Sequence, residues 1–319
     1  MPRTTRGTSS RSRAAVLLTS TVGLVLTGIP SAGATSPEVI VLPGASSAEG
    51  IARGEGDTFY AGDLFRGDVF RGDLEEGTAE LFIDAPDGRL ALGMVADTRH
   101  GLLYVAGGFT GQAYVYDLKT KATVATYPFA PPSPPAPESP TTLVNDVTLT
   151  RAGAWFTDSL RGQLYFVPID RHGDPGEFRT LTLHGPAAET SPDFGLNGIA
   201  AVRHGDTLVV AHSANGELYT VDPETGDSAE IAKVDVPDVD GIVLHGRRLW
   251  AVQNSNRVTQ IRLSRDLTSG TVQEVISSDH FQVPTTAIRH DGQLAVVNGK
   301  FDTGIPPTAD QYEVVVVDD

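Results

Sequence analysis

The sequence predicts an all-β chain wound into a six-bladed β-propeller, with its ring closed by a strand from near the N-terminus. Three observations predict this. A short phrase starts six times, at 49, 92, 145, 197, 240 and 285, with 43 to 53 residues between starts. A repeat of roughly 40–50 residues built from short strands is the pattern of propeller blades. The 319 residues include 34 Gly and 21 Pro, which suits many tight turns. No stretch after residue 34 keeps an apolar period near 3.6, so no long helix is expected.

Four copies of the phrase open on a polar head: Glu49-Gly50-Ile51, Asn145-Asp146-Val147, Asn197-Gly198-Ile199 and Asp240-Gly241-Ile242. Two keep the phase without a carboxylate or carboxamide, Leu92-Gly93-Met94 and Thr285-Thr286-Ala287. Each copy runs into an apolar strand, a Gly-containing turn and a second strand.

In chain order, residues 1–34 read as an export signal. Arg3, Arg6, Arg11 and Arg13 precede an apolar run from Ala14 to Ile29, and Ala32-Gly33-Ala34 is an A-x-A cleavage site. The run is too short and interrupted for a membrane span. The mature chain is expected to be secreted, to begin near Thr35, and to fold over 35–319 as one propeller domain and a monomer.

Glu38 to Leu42 is a strand without a hairpin partner, and Glu313 to Val317 ends the chain with no fourth strand after it. Pairing 38–42 with 313–317 in the last blade closes the ring and removes two open sheet edges. Between these ends come paired strands such as 102–106 with 112–117, 154–157 with 163–167, 207–211 with 217–221, and 248–252 with 257–261. Pro128 to Pro140 holds seven prolines and is expected to be extended and to lie on the rim above the heads. The long loop 298–311 belongs to the same face.

The net charge is −16; without residues 1–34, which carry four Arg and no acid, it is −20. Such a polyanion repels nucleic acid and anionic membrane surfaces, so neither is expected as a partner. The absence of Cys excludes disulfides, thiolate metal sites and cysteine nucleophiles.

A propeller arranges equivalent positions in a ring, so Glu49, Asn145, Asn197 and Asp240 are expected at one channel mouth. Two confined like charges raise each other's pKa or require a cation. Oxygen-only ligands suit one hard divalent cation, Ca²⁺ first, with Mg²⁺, Mn²⁺ or Zn²⁺ as other candidates; the lack of Cys and of His among the heads counts against zinc. His212 closes the second strand of blade four, where it is either a pocket residue that meets substrate or a loop histidine bonded to its neighbours. Asp158 and Asn254 read as equivalents of that position.

These motifs resemble the gluconolactonase and senescence-marker-protein (regucalcin-like) six-bladed propellers, and more loosely the paraoxonase and strictosidine-synthase propellers. The resemblance rests on Glu49-Gly50, Asn145-Asp146, Leu196-Asn197-Gly198-Ile199 and Val239-Asp240-Gly241-Ile242. It implies Glu49, Asn197 and Asp240 as metal ligands, Asn145 as a contact to substrate or to metal-bound water, and Asp240 as general base. It further implies metal-assisted hydrolysis of a small ester or lactone. The sugar-lactone enzymes carry Arg where this chain has Leu143, and usually Gly where it has Val147, so a less polar ester or lactone fits better. The alternative is a non-catalytic propeller that binds a ligand or partner and uses the cation as a structural pin.

Overall fold

The computed structural model describes residues 38–134, 139–190 and 194–319. The export signal therefore lies outside the described residues, as does the middle of the proline-rich segment. Six four-stranded antiparallel sheets form the molecule, each with its strands hydrogen-bonded in sequence from the inside outwards. The innermost strands are Ile51–Arg53, Met94–Asp97, Val144–Leu149, Leu196–Val202, Val239–His245 and Pro284–His290. Each contacts the next around a closed ring, the last returning to the first. Among the described residues the only helices are two single 3-10 turns, Pro186–Ala188 and Phe301–Thr303.

The ring closes as the unpaired ends predict. Val39–Val41 is the outermost strand of blade six and pairs with Glu313–Asp318, in the register Val39 to Val315, Ile40 to Val314 and Val41 to Glu313. The backbone bonds Leu42 N–H to Tyr312 O and Val316 N–H to Glu38 O extend that pairing at both ends. Closure joins the first and last described strands in one blade, which completes its four strands.

The second strand of most blades is buried on both faces, as in Leu102–Ala106 and Gly153–Asp158. Blades pack face to face, so these strands read as apolar runs without alternation. Large side chains fill the space between blades: Phe129 stacks on Tyr165 with centroids 4.4 Å apart, and Trp155 lies 4.5 Å from Phe166. The outermost strands are the reverse. Ser228–Glu230 and Gly270–Ile276 are mostly exposed and mix polar with apolar residues without a buried stripe, so periodicity does not reveal them.

The proline-rich segment starts later than its composition implies. Pro128 ends the outer strand Thr123–Pro128 and pairs with Gln112, which an edge position permits. Beyond it, Ala130 N–H bonds to Gly111 O and Ser133 N–H to Phe109 O. The Ser133 hydroxyl donates to Thr142 O at 2.7 Å. The described part is thus stitched to the loop of blade two and to the approach to Asn145.

Candidate functional site

A bulge sits at the head in four of the six blades. In blades three to six the inner strand slips register between Val144 and Val147, Leu196 and Ile199, Val239 and Ile242, and Pro284 and Ala287. The head and the residue after it occupy the slip each time, and a bulge re-aims a side chain without ending the strand. Blades one and two follow the same bonding. Glu49 N–H donates to Gly62 O and Gly62 N–H to Gly50 O; Leu92 N–H donates to Ala106 O and Ala106 N–H to Gly93 O.

The residue after the head meets the next blade. A Cβ on Gly198 would lie 2.6 Å from Ile242 N and 2.7 Å from Asp240 O, and one on Gly93 would lie 2.7 Å from Asn145 O. Glycine at these positions lets the inner strands approach this closely. Blades three and six depart from this, with Asp146 and Thr286 there. The Asp146 carboxylate accepts from Val147 N–H at 2.7 Å and from Ile199 N–H of blade four at 3.2 Å. Thr157 continues the link, accepting from Asp146 N–H and donating to Asn197 O at 2.8 Å. Burial pushes the Asp146 carboxyl up to about 7, although its two N–H partners pull it down.

Glu49, Asn145, Asn197 and Asp240 are all buried, 5 to 7% exposed. Glu49 and Asp240 lie close enough to repel. The Glu49 carboxyl is held well above the usual range, first by burial, then by the charges of Asp240 and Asp146. Burial raises Asp240 to about 6, opposed by the amides of Asn254 and Asn197. The Asn254 amide donates to Asp240 Oδ2 at 2.9 Å and to Pro284 O at 2.9 Å, bridging blades five and six.

Two serines orient the head amides. Asn197 Nδ2 donates to Ser213 Oγ at 3.0 Å, and Ser213 passes its own proton to Val239 O at 2.6 Å. The serine can then only accept from Asn197, so the amide nitrogen must face it. Asn145 Nδ2 likewise donates to Ser159 Oγ at 2.8 Å, which leaves Asn145 Oδ1 buried without a partner. Glu49 Oε2 is also buried without a partner.

These observations test the donor set against a divalent cation. Buried, unpaired oxygens are costly unless something binds them. Two such oxygens occur within the same ring of heads as a second buried carboxylate. The residues present fit a hard, oxygen-ligated cation. Among the described residues no group of three or more His, Cys, Asp or Glu is arranged to hold a metal, so a site here relies on amide oxygens beside two carboxylates.

His212 is placed elsewhere. It is fully buried, its Nε2 lies 3.1 Å from Glu189 O, and its Nδ1 accepts from Asn215 N–H at 3.3 Å. Both ring nitrogens are engaged with loop backbone, and no hydrogen bond joins the ring to the four heads. Asp158 occupies the equivalent position in blade three, accepting from Leu143 N–H at 2.9 Å and Leu160 N–H at 3.1 Å. The grouping of Asn254 with these two is corrected by one residue. Leu196 pairs with His212, Val144 with Asp158 and Val239 with Gln253, so Ser213, Ser159 and Asn254 are the matching set. That set, which sequence reasoning missed apart from Asn254, touches the heads. Its signal was a Ser or Asn directly after each second strand in three consecutive blades.

Below the heads an axial cavity of about 440 Å³ runs between the inner strands of all six blades, with Asp146 in its wall. No protein-family model matches the chain, and no curated protein matches it. Solved structures do resemble it. A gluconolactonase from Xanthomonas campestris superposes with a TM-score of 0.58 at 18% identity, over 86% of this chain and 87% of that one. A Lactobacillus plantarum protein gives 0.57 at 18% identity, over 79% and 77%. A chain of a mitotic checkpoint complex gives 0.59 at 11% identity, over 97% and 99%. At these identities the likeness establishes the β-propeller fold alone, and so varied a set of neighbours shows that the fold does not choose the chemistry.

Proposed function

We propose that the chain is an exported, monomeric, divalent-cation-dependent hydrolase of small esters or lactones that works at the ring of heads. The observation that carries this reading is the pair of orphaned buried oxygens, Glu49 Oε2 and Asn145 Oδ1, in a ring that also holds Asp240. The gluconolactonase among the structural neighbours supports it as an analogy of fold and reaction class.

In this reading Glu49, Asn197 and Asp240 hold the cation, with Ca²⁺ favoured by the all-oxygen donor set. When bound, the cation supplies Lewis-acid polarisation of a carbonyl and acidifies a water. Asn145 Oδ1, which can only accept, takes a hydrogen bond from the cation-bound water that meets the substrate, and Ser159 keeps that amide in orientation. Asp240 accepts the proton of the attacking water as general base. Asn254 holds one oxygen of the Asp240 carboxylate, which fixes the direction of the other.

That same bond favours a second reading. A carboxylate that already accepts from the Asn254 amide is a weaker base, which suits a non-catalytic propeller whose cation pins the blades.

Both readings meet one experiment, turnover of a lactone and ester panel with Ca²⁺, Mg²⁺, Mn²⁺ or Zn²⁺. The hydrolase reading expects turnover that chelation abolishes and that Glu49→Gln and Asp240→Asn each reduce at least 100-fold in folded protein. A folded, cation-binding protein inert to the whole panel would leave the structural-pin reading.

A further inference from the structure

The polar heads share their face of the propeller with a cluster of apolar side chains, buried at Leu92 and Leu143 and partly open around them. Leu92 occupies a head position itself, between Glu49 and Asn145 in the ring, and is 4% exposed. Over it, the side chains of Leu90, Leu92 and Leu143 converge on Gly108. A Cβ there would lie 2.6 Å from Leu92 Cδ1, 3.2 Å from Leu90 Cδ1 and 3.6 Å from Leu143 Cδ1. Gly108 exchanges two backbone hydrogen bonds with Val144, so this contact lies where blades two and three meet, beside Asn145. Phe65, Leu90, Phe109, Leu160 and Phe301 pack against the same cluster and stay partly open to solvent.

The cluster covers one side only. Phe65, Phe109, Leu160 and Phe301 come from the loops that follow the second strands of blades one, two, three and six. The matching loops of blades four and five read Ser213-Ala214-Asn215-Gly216 and Asn254-Ser255-Asn256 and carry no large apolar side chain. The loops after the second strands are thus polar in blades four and five and apolar in blades two and three; beside the blade-four loop stands one large apolar side chain, Phe194, whose carbonyl accepts from Ala214 N–H. The orphaned oxygens of Glu49 and Asn145 belong to the heads on either side of Leu92.

We propose that the substrate carries a hydrocarbon substituent that lies over blades two and three against Leu90, Leu92, Phe109 and Leu143, and that polyhydroxylated lactones are discriminated against. The proposal rests on the hydrolase reading above. The carbonyl group meets the polar heads, and the substituent is directed away from Asp240. A sugar hydroxyl in that place would exchange water for leucine methyl groups with no partner, which is unfavourable. An alkyl chain there loses only hydrated apolar surface.

The test uses the mature protein with Ca²⁺ and two matched series. One is γ-lactones from butyrolactone to decanolactone, with gluconolactone for comparison, read as kcat/KM. The other is 2-alkylcyclopentanones, which cannot be hydrolysed, read as Kd by calorimetry. Both are expected to improve roughly two- to fourfold per methylene over the first few carbons. Leu90→Asn and Phe109→Ser flatten that dependence, whereas Phe109→Leu keeps it; circular dichroism confirms folding. A flat dependence, or gluconolactone outpacing decanolactone, overturns the proposal and leaves the hydrolase reading standing. Chain-dependent ketone binding that Leu90→Asn removes, without turnover of any lactone, upholds the apolar cluster and refutes the hydrolase reading. Absence of both turnover and binding overturns the two together.

Discussion

Replacing Asp240 by Asn removes a charge that the folded chain holds at a cost. Burial raises its pKa from 3.8 to about 6. At 1.36 kcal/mol per tenfold change in proton affinity, this is roughly 3 kcal/mol against the ionised form. A carboxyl with a raised folded pKa binds its proton more tightly in the folded chain than in the unfolded one. Its penalty is absent below pH 4, grows from about pH 4 to pH 6, and is complete above that. Urea unfolding in chelator, from pH 4.5 to 8, measures it. Subtracting the Asp240→Asn curve removes the titration of the distant acids in a chain with 40 acidic residues and leaves Asp240 together with the shifts its charge imposes on Glu49 and Asp146. The wild type is expected to lose about 2 kcal/mol relative to the variant between pH 4.5 and 8, the rest of the roughly 3 kcal/mol having been lost below pH 4.5. Saturating Ca²⁺ is expected to abolish the loss and to stabilise only the wild type, by about 2.7 kcal/mol at a hundred times Kd. Wild-type and variant curves that stay parallel in chelator, or a Ca²⁺ effect equal in both, would refute the claim that Asp240 is a buried charge awaiting a cation.

Three further predictions concern the frame around the heads. Gly198→Ala brings a Cβ against the backbone of blade five and is expected to destabilise the fold by about 1–3 kcal/mol, read from the urea midpoint. Ser213→Ala frees the Asn197 amide to rotate and is expected to weaken Ca²⁺ binding by about 10- to 100-fold by calorimetry, the size expected for a partner that orients a ligand. His212→Ala leaves Glu189 O and Asn215 N–H without their bonds, so about 1–3 kcal/mol of stability is lost while Ca²⁺ affinity stays unchanged.

Much of the frame was legible in the chain because the repeat is a property of spacing. The six starts predict the six blades, and the unmatched strands at 38–42 and 313–317 predict the closing pair, which the structure forms through Val39–Val41. The outer strands Ser228–Glu230 and Gly270–Ile276 escaped notice because they are exposed and carry no apolar stripe. A finer error arose at the ends of the second strands. Asp158, His212 and Gln253 share one position, and Ser159, Ser213 and Asn254 the next. In a strand, a shift of one residue turns a side chain to the opposite face of the sheet. These strands are apolar on both faces, so no alternation in the sequence marks which is which.

The sequence by itself determined the repeat, the closing strand and the phase of Glu49, Asn145, Asn197 and Asp240, because each depends only on order and spacing along the chain. Only the tertiary structure decided that Asp146 ties blade three to blade four and that Ser159, Ser213 and Asn254 orient the heads. It alone decided that Leu90, Leu92 and Leu143 meet over Gly108. The reason is that Asp146 and Leu143 reach a neighbouring blade, while Ser159, Ser213 and Asn254 meet their heads across the gap between an inner strand and the loop after the second strand. These contacts form when bulged inner strands are pressed together around an axis, and a one-dimensional pattern carries no record of which faces meet there.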